Sequence, residues 1–549
     1  MRRIFLLLVF TFIISAVSAD HDNAAEVIDG RWMKSHYTKA EYMIPMRDGV
    51  KLYTAVYAPK DKKRLHPILM QRTPNGCQPY GKKNVTLWER VEYHKYLRNG
   101  YILIFQDVRG KGMSEGEFVF MRPYIENKQG SAHTDESSDT YDTIEWLMRK
   151  IKKNNGYVGL YGCMEEGFYA IMGAACAHPA IKAVSPQAPI VGWNDGYVRR
   201  NGALALKDSI SEDVIAHAAY DEWWQARDIK KAAKRLSAPI MLAGSSYDTA
   251  NPYGTWLAYQ AVRSENPTLD CRLVIGPWSW DAWHNAGSSD SQTSDEDFSP
   301  QQFRDEMEFP FFERHLRGVE DGEMPTKSLI YFTGEECWRE MDYWDLAKSD
   351  TMKLFFHEDG ALRQDQSAEI NSYSSYLSDP VNPVPYTVGS TDAANSEPRS
   401  DVVTFISSVL EEDITLVGNI ATELYAALSQ SDADFIVKVI DVGPNCEYER
   451  LVCSDIMRGR YRKSATAPEP FSAGQIEKIV LTTPATPHTF MAGHRIKIEV
   501  QSSWFPLYER NPQQYIDIDK AAADDYKPCE VKIYHDKAHA SSITFSIMR

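Results

Sequence analysis

Over the first 340 residues, short apolar runs at 67–71, 101–106, 158–161, 184–186, 240–243 and 273–275 alternate with amphipathic stretches, among them 139–150 and 166–177. Short apolar strands separated by helices that are apolar on one face predict a mostly parallel sheet covered on both sides. From about Lys353 the pattern changes. Phe435-Ile436-Val437-Lys438-Val439 and Ile496-Lys497-Ile498-Glu499-Val500 alternate with period two and are separated by turn clusters such as 392–400. This predicts a second, all-β domain of sandwich type. The change of pattern puts the boundary near 345–352, and there is no internal repeat.

Residues 1–19 have the order of an export signal: Arg2 and Arg3, an apolar run from Ile4 to Val17, then Val17-Ser18-Ala19 with small residues at the cleavage positions. Cleavage after Ala19 would leave 58 basic against 76 acidic side chains, taking the formal charge from −16 to −18. That balance argues against nucleic acid or an anionic membrane surface as the main partner. No later apolar stretch is long enough for a transmembrane helix, so the mature chain is expected to be secreted or periplasmic. With 43% hydrophobic and 25% charged residues in 549, the remainder should fold as globular domains. The eight cysteines (77, 163, 176, 271, 337, 446, 453, 529) form no CxxC, and no HExxH is present. Their pairing cannot be read from spacing.

In open α/β sheets the chemistry sits at the carboxyl ends of strands. The run Val158-Gly159-Leu160-Tyr161-Gly162-Cys163-Met164-Glu165-Glu166-Gly167 reads as strand, sharp turn and helix, with Gly162 and Gly167 bracketing the turn. This is the frame of a nucleophile elbow, in which small residues permit a strained turn that lifts one side chain above the sheet.

Several further segments carry a resemblance. Met46-Arg47-Asp48-Gly49-Val50-Lys51-Leu52, Gln71-Arg72-Thr73-Pro74, Gln106-Asp107-Val108-Arg109-Gly110, Ser114-Glu115-Gly116-Glu117-Phe118, Ser137-Ser138-Asp139-Thr140-Tyr141-Asp142-Thr143 and Gly276-Pro277-Trp278 lie in the first part of the chain. Asp432-Ala433-Asp434-Phe435, Gly493-His494-Arg495 and Ser502-Ser503-Trp504-Phe505-Pro506 lie in the second. Together they resemble the cocaine-esterase-like hydrolases, relatives of X-Pro dipeptidyl-peptidases, α-amino-acid ester hydrolases and cephalosporin acylases. The resemblance implies an α/β-hydrolase domain over 20–350 with a short helical cap inserted at 192–236, followed by a jelly-roll β-sandwich domain over 351–549. No cofactor and no metal is implied.

Members of that family are serine hydrolases with a Ser-His-Asp triad. Carried over position by position, the nucleophile falls on Met164, the acid on Asp248 and the base on Trp280. A thioether has no proton to lose, and an indole is a donor only. The phenol that the family adds to its oxyanion hole falls on Asn75, which could still donate, and the residue after the nucleophile is Glu165, a carboxylate where negative charge must develop. Amine-recognising relatives have acids just after the triad Asp. Here Asp248 is followed by Thr249, Ala250 and Asn251.

In a serine protease, loss of the nucleophile or base alone costs on the order of 10⁶-fold in turnover. The chain is therefore expected to be an exported pseudoenzyme whose former cleft is given up or binds a small-molecule, peptide or glycan ligand. Two alternatives stay open. One is a hydrolase of altered mechanism, using Cys163 with His284, or a metal held by the carboxylates Glu165, Glu166 and Asp248, which could also do general acid–base work. The other is a carbohydrate- or protein-binding module working through the β domain. The bland expectations are that Cys163 packs away from the cleft, that His284 is a loop histidine, that Glu165 and Glu166 suit the helix dipole, and that Ser246 and Ser279 are ordinary loop serines. Arg199 and Arg200 on the cap, candidates for lining the cleft, are expected on a solvated face. Tyr80 is a candidate replacement for the lost phenol.

Overall fold

A computed structural model describes residues 27–206, 210–247, 251–279, 299–319, 327–342, 344, 349–386, 399–483 and 485–548. The first sheet has ten strands: β1 (Tyr37–Pro45), β2 (Lys51–Pro59), β3 (His66–Thr73), β4 (Ile102–Asp107), β5 (Asn154–Cys163), β6 (Ile181–Gln187), β9 (Ile240–Tyr247), β10 (Cys271–Ser279), β11 (Ser328–Phe332) and β12 (Cys337–Met341). The numbers β7 and β8 belong to a two-stranded ribbon, Arg199–Arg200 with Ala203–Leu204, in the segment between β6 and β9. The spatial order is β1-β2-β4-β3-β5-β6-β9-β10-β11-β12. From β4 through β11 all neighbours run parallel, while β1, β2 and β12 are antiparallel edges. The central strands are buried on both faces, which is why they read as unbroken apolar runs.

Helix limits differ from those predicted for local reasons. The helix expected at 139–150 is Glu136–Lys150, because Asp135 caps it: its carboxylate accepts from the Ser138 N–H at 2.9 Å, and the Ser138 hydroxyl accepts from the Asp135 N–H at 2.8 Å. The helix expected at 166–177 is Glu165–Ala174, and the chain leaves it through Ala177 at φ +50°.

Beneath the carboxyl ends of β3 and β4 the family-like segments converge. Arg72 donates to Gln106 Oε1 at 2.8 Å and to Glu136 Oε2 at 2.9 Å, and Arg109 donates to Asp139 at 2.7 Å and Asp48 at 2.7 Å. Gln106 in turn donates to Thr54 and Thr143. Residues far apart in sequence thus lock the strand ends that present the site.

The last strand of the first sheet ends at Met341, and the first strand of a second, twelve-stranded sheet is Asp350–Phe356. That sheet is antiparallel except for Ala361–Arg363 beside Val403–Ser407. Its core holds Phe356 and Phe405, stacked at 4.2 Å, with Leu424, Phe435, Ile498 and Phe545. The period-two segments are the strands Asp434–Val442 and Arg495–Gln501, paired antiparallel.

Candidate functional site

Strand β5 ends at Cys163, the helix Glu165–Ala174 begins two residues later, and Met164 between them has φ +57° and ψ −116°. A residue other than glycine at positive φ is strained, by about 1–3 kcal/mol. The two glycines make the turn possible. A Cβ on Gly162 would lie 2.4 Å from the Glu166 backbone carbon, and one on Gly167 would lie 2.9 Å from the Gln187 carbonyl oxygen. The Met164 N–H donates to that same Gln187 carbonyl at 2.9 Å, and the Met164 carbonyl accepts from Phe168 and Ile190. The apex of the elbow is therefore a thioether, 5% exposed.

Around the apex the polar groups are paired with one another. The Glu166 carboxylate accepts from the Thr73 hydroxyl at 2.6 Å and from Asn75 Nδ2 at 3.2 Å, and Thr73 Oγ1 also accepts the Asn75 N–H at 3.0 Å. Burial raises the Glu166 pKa above the ordinary carboxylate value, and the neighbouring Glu165 charge adds to the rise against the bonds from Thr73 and Asn75. Glu165 does not turn to solvent. It accepts the Tyr197 hydroxyl from the cap, and burial followed by that carboxylate pushes the phenol's pKa well up. Asn75, Glu165 and Tyr197 line a cavity of about 360 Å³ whose aromatic walls include Phe118, Phe120 and Phe168. Lys111 also lines it, its ammonium 4.2 Å above the Phe118 ring. The arrangement can hold a ligand. It is poorly suited to a developing oxyanion, because the side-chain amide of Asn75 already donates to Glu166 and a second carboxylate faces the cavity.

The other sequence candidates separate. Cys163 points to a different pocket of about 90 Å³, lined also by Gln71, Tyr161, Gln187 and Glu308. There Glu308 accepts Ser185 at 2.5 Å and Gln187 at 2.6 Å, with its pKa raised by burial. Tyr80 does not reach the elbow, since its hydroxyl donates to Asp107 at 3.0 Å. Asn251, 3% exposed, donates to the Ala188 and Pro189 carbonyls at 2.7 and 3.0 Å and accepts the Gly254 N–H, so it ties the end of β6 to the start of the next helix. Ser246 lies on the wall of a separate interdomain cavity.

Arg199 and Arg200 correct the expectation of a solvated face, for both are buried. Arg200 forms a bidentate pair with Asp455 of the β domain at 2.7 and 2.8 Å, and Arg199 reaches the carbonyls of Gly202, Val214 and Ile215. Neither lines the elbow cavity: Arg200 joins the 192–236 segment to the second domain, and Arg199 ties that segment to itself. Asp248, Ala250, Trp280 and His284 lie outside the described residues, as does the Ser279 side chain. Among the described residues no group of three or more His, Cys, Asp or Glu is placed to hold a metal ion.

Sequence reasoning missed Thr73 and Tyr197. Thr73 stands inside a segment already singled out, two residues before Asn75. Nothing in the sequence marks Tyr197, which reaches Glu165 only through the fold of the cap.

Comparisons with known proteins agree over most of the chain. Residues 48–214 and 205–280 match the model of the X-Pro dipeptidyl-peptidase (S15 family), and residues 319–544 match that of the X-Pro dipeptidyl-peptidase C-terminal non-catalytic domain. Cocaine esterase of Rhodococcus sp. (strain MB1 Bresler) is 26% identical over 95% of this chain and 100% of its own length. An aminopeptidase from a marine sediment Thaumarchaeota archaeon superposes with a TM-score of 0.83 at 28% identity, covering 97% of this chain and 99% of that one. An α-amino acid ester hydrolase does so with a TM-score of 0.83 at 28% identity, covering 98% and 100%. The strand order, the elbow and these matches place the chain in the cocaine-esterase and X-Pro dipeptidyl-peptidase-like family of hydrolases, built from an α/β-hydrolase domain and a C-terminal β domain.

Proposed function

We propose that this chain is an exported pseudoenzyme of its family: the hydrolase domain and a jelly-roll β domain form the scaffold, and the cavity at the elbow binds a small-molecule, peptide or glycan ligand without cleaving it. The observation that carries this reading is Met164 at the apex in the strained turn. A sulfur ether there can neither be deprotonated nor form an acyl-enzyme. Two further features support it. The Asn75 amide donates to Glu166, and Glu165 presents a carboxylate beside the place where an oxyanion would form. An altered mechanism through Cys163 gains no support, because that thiol lines a different pocket from Glu165 and Tyr197.

The test is a panel of aryl esters and aminoacyl anilides given to the purified full chain beside a Met164→Ser, Trp280→His double variant. The unmodified protein is expected to give no turnover above background. Turnover at ordinary enzyme rates, about 1–10³ s⁻¹, would overturn the reading.

A further inference from the structure

A second cavity, of about 130 Å³, lies between the two domains and shares no lining residue with the one at the elbow. Its walls come from the end of β9 and the start of the helix Gly254–Glu265 on one side, and from the strand Glu449–Arg458 and the 504–508 segment on the other. Six rings face it: Tyr247, Tyr253, Trp256, Tyr386, Trp504 and Tyr508. Tyr386 and Trp504 meet edge to face with centroids 5.2 Å apart. Among the described residues none of its lining side chains is charged.

The chemistry of the wall selects a ligand. The cavity is partly open to solvent and its wall is mostly apolar, so an aromatic occupant makes contacts that water there does not. An apolar cavity of roughly 150 Å³ accommodates one benzene ring, so this one fits a single ring rather than a fused system. A charged ligand would lose its hydration with no partner in the wall. One polar group in the wall asks for a partner: Ser246 Oγ is buried and, among the described residues, has no hydrogen bond. A buried hydroxyl left unpaired is costly, and a ligand carrying one matching donor or acceptor relieves it.

We propose that this interdomain cavity binds a neutral monocyclic phenol, its ring among Trp256, Tyr253 and Trp504 and its hydroxyl on Ser246. The proposal does not rest on whether the elbow is catalytic, since the two cavities share no lining residue. Because both domains supply the wall, occupation holds them together.

Calorimetric titration of the full chain with 4-methylphenol is expected to give saturable one-to-one binding and a raised thermal midpoint. Toluene, which has the same ring and methyl group without the hydroxyl, is expected to bind about tenfold more weakly. Ser246→Ala should bring the two ligands to equal affinity, and Ala485→Phe, which fills the cavity, should abolish both. Crystals soaked in 4-bromophenol should show a bromine peak between Trp256 and Trp504, a reading that does not depend on either variant folding. Absence of saturable binding by the unmodified chain, unchanged binding in Ala485→Phe, a hydroxyl preference that survives Ser246→Ala, or bromine found only elsewhere would each overturn the assignment.

Discussion

Asn75 Nδ2 lies 3.2 Å from Glu166 Oε1, so the amide at the position that the sequence resemblance assigns to an oxyanion phenol donates to a carboxylate of the elbow helix. On the proposed reading that the elbow no longer hydrolyses esters, this bears on attempts to install that activity. Supplying only a nucleophile and a base, as in Met164→Ser with Trp280→His, leaves Glu165 facing the cavity and Asn75 engaged. Adding Asn75→Tyr and Glu165→Tyr to that double variant is expected to raise ester turnover by a further 10²–10³-fold, roughly the worth of one oxyanion donor. Equal initial rates for the two-site and four-site variants would show that these positions do not limit the chemistry.

The elbow glycines give a stability prediction with an internal control. A methyl group on Gly162 would collide with the Glu166 backbone, which cannot yield without breaking the start of the helix. Gly162→Ala is expected to destabilise the α/β domain by about 3 kcal/mol or more. Gly192 has open space around its Cβ position, so Gly192→Ala should change stability by no more than about 0.5 kcal/mol. Thermal midpoints of the two variants, recorded side by side, check both statements.

Arg200 and Asp455 are both nearly inaccessible to solvent, so each alone would be a buried unpaired charge. Arg200→Ala and Asp455→Ala are each expected to cost about 3–5 kcal/mol, whereas Arg200→Met with Asp455→Leu should recover much of that loss, because two apolar groups leave no charge stranded. Unfolding midpoints over this double-mutant cycle decide the matter. Additive losses would show that the pair does not couple the cap to the second domain.

His488 supplies a pH prediction. Its ring sits at the domain junction, 2.8 Å from the Thr333 hydroxyl through Nδ1. Burial holds its pKa below the ordinary 6.5, outweighing the opposite pull of Asp441. The unfolded chain therefore takes up the proton first as pH falls. Stability from this group is complete above about pH 6.5 and is lost progressively below it. The midpoint of the unmodified protein should fall between pH 7 and pH 5 more steeply than that of His488→Asn. Parallel curves for the two proteins would exclude His488 as the cause.

Much of the fold could be read from the sequence because its signals are local. The apolar runs at 67–71, 240–243 and 273–275 are cores of observed strands, and the Gly162 and Gly167 bracket marks the observed turn, since only the absence of a side chain permits the close approaches found there. What stayed hidden depends on distant partners. Two adjacent arginines look like a solvated face until Asp455, some 255 positions later, is brought to them. Glu165 and Glu166 look like ordinary first-turn acids, yet one accepts from Tyr197 and the other from Thr73 and Asn75. Long-range pairing of that kind leaves no periodicity to detect.

The bend at Met164 is set by its surroundings rather than by the side chain it carries: the Gln187 carbonyl and the closeness of two glycines to neighbouring backbone impose it. An architecture that holds its corner regardless of the tenant works as a socket. Any residue introduced at that point, natural or synthetic, would be presented in a geometry already prepared for it, so new reactivity could be installed by exchanging one plug without redrawing the wiring behind it.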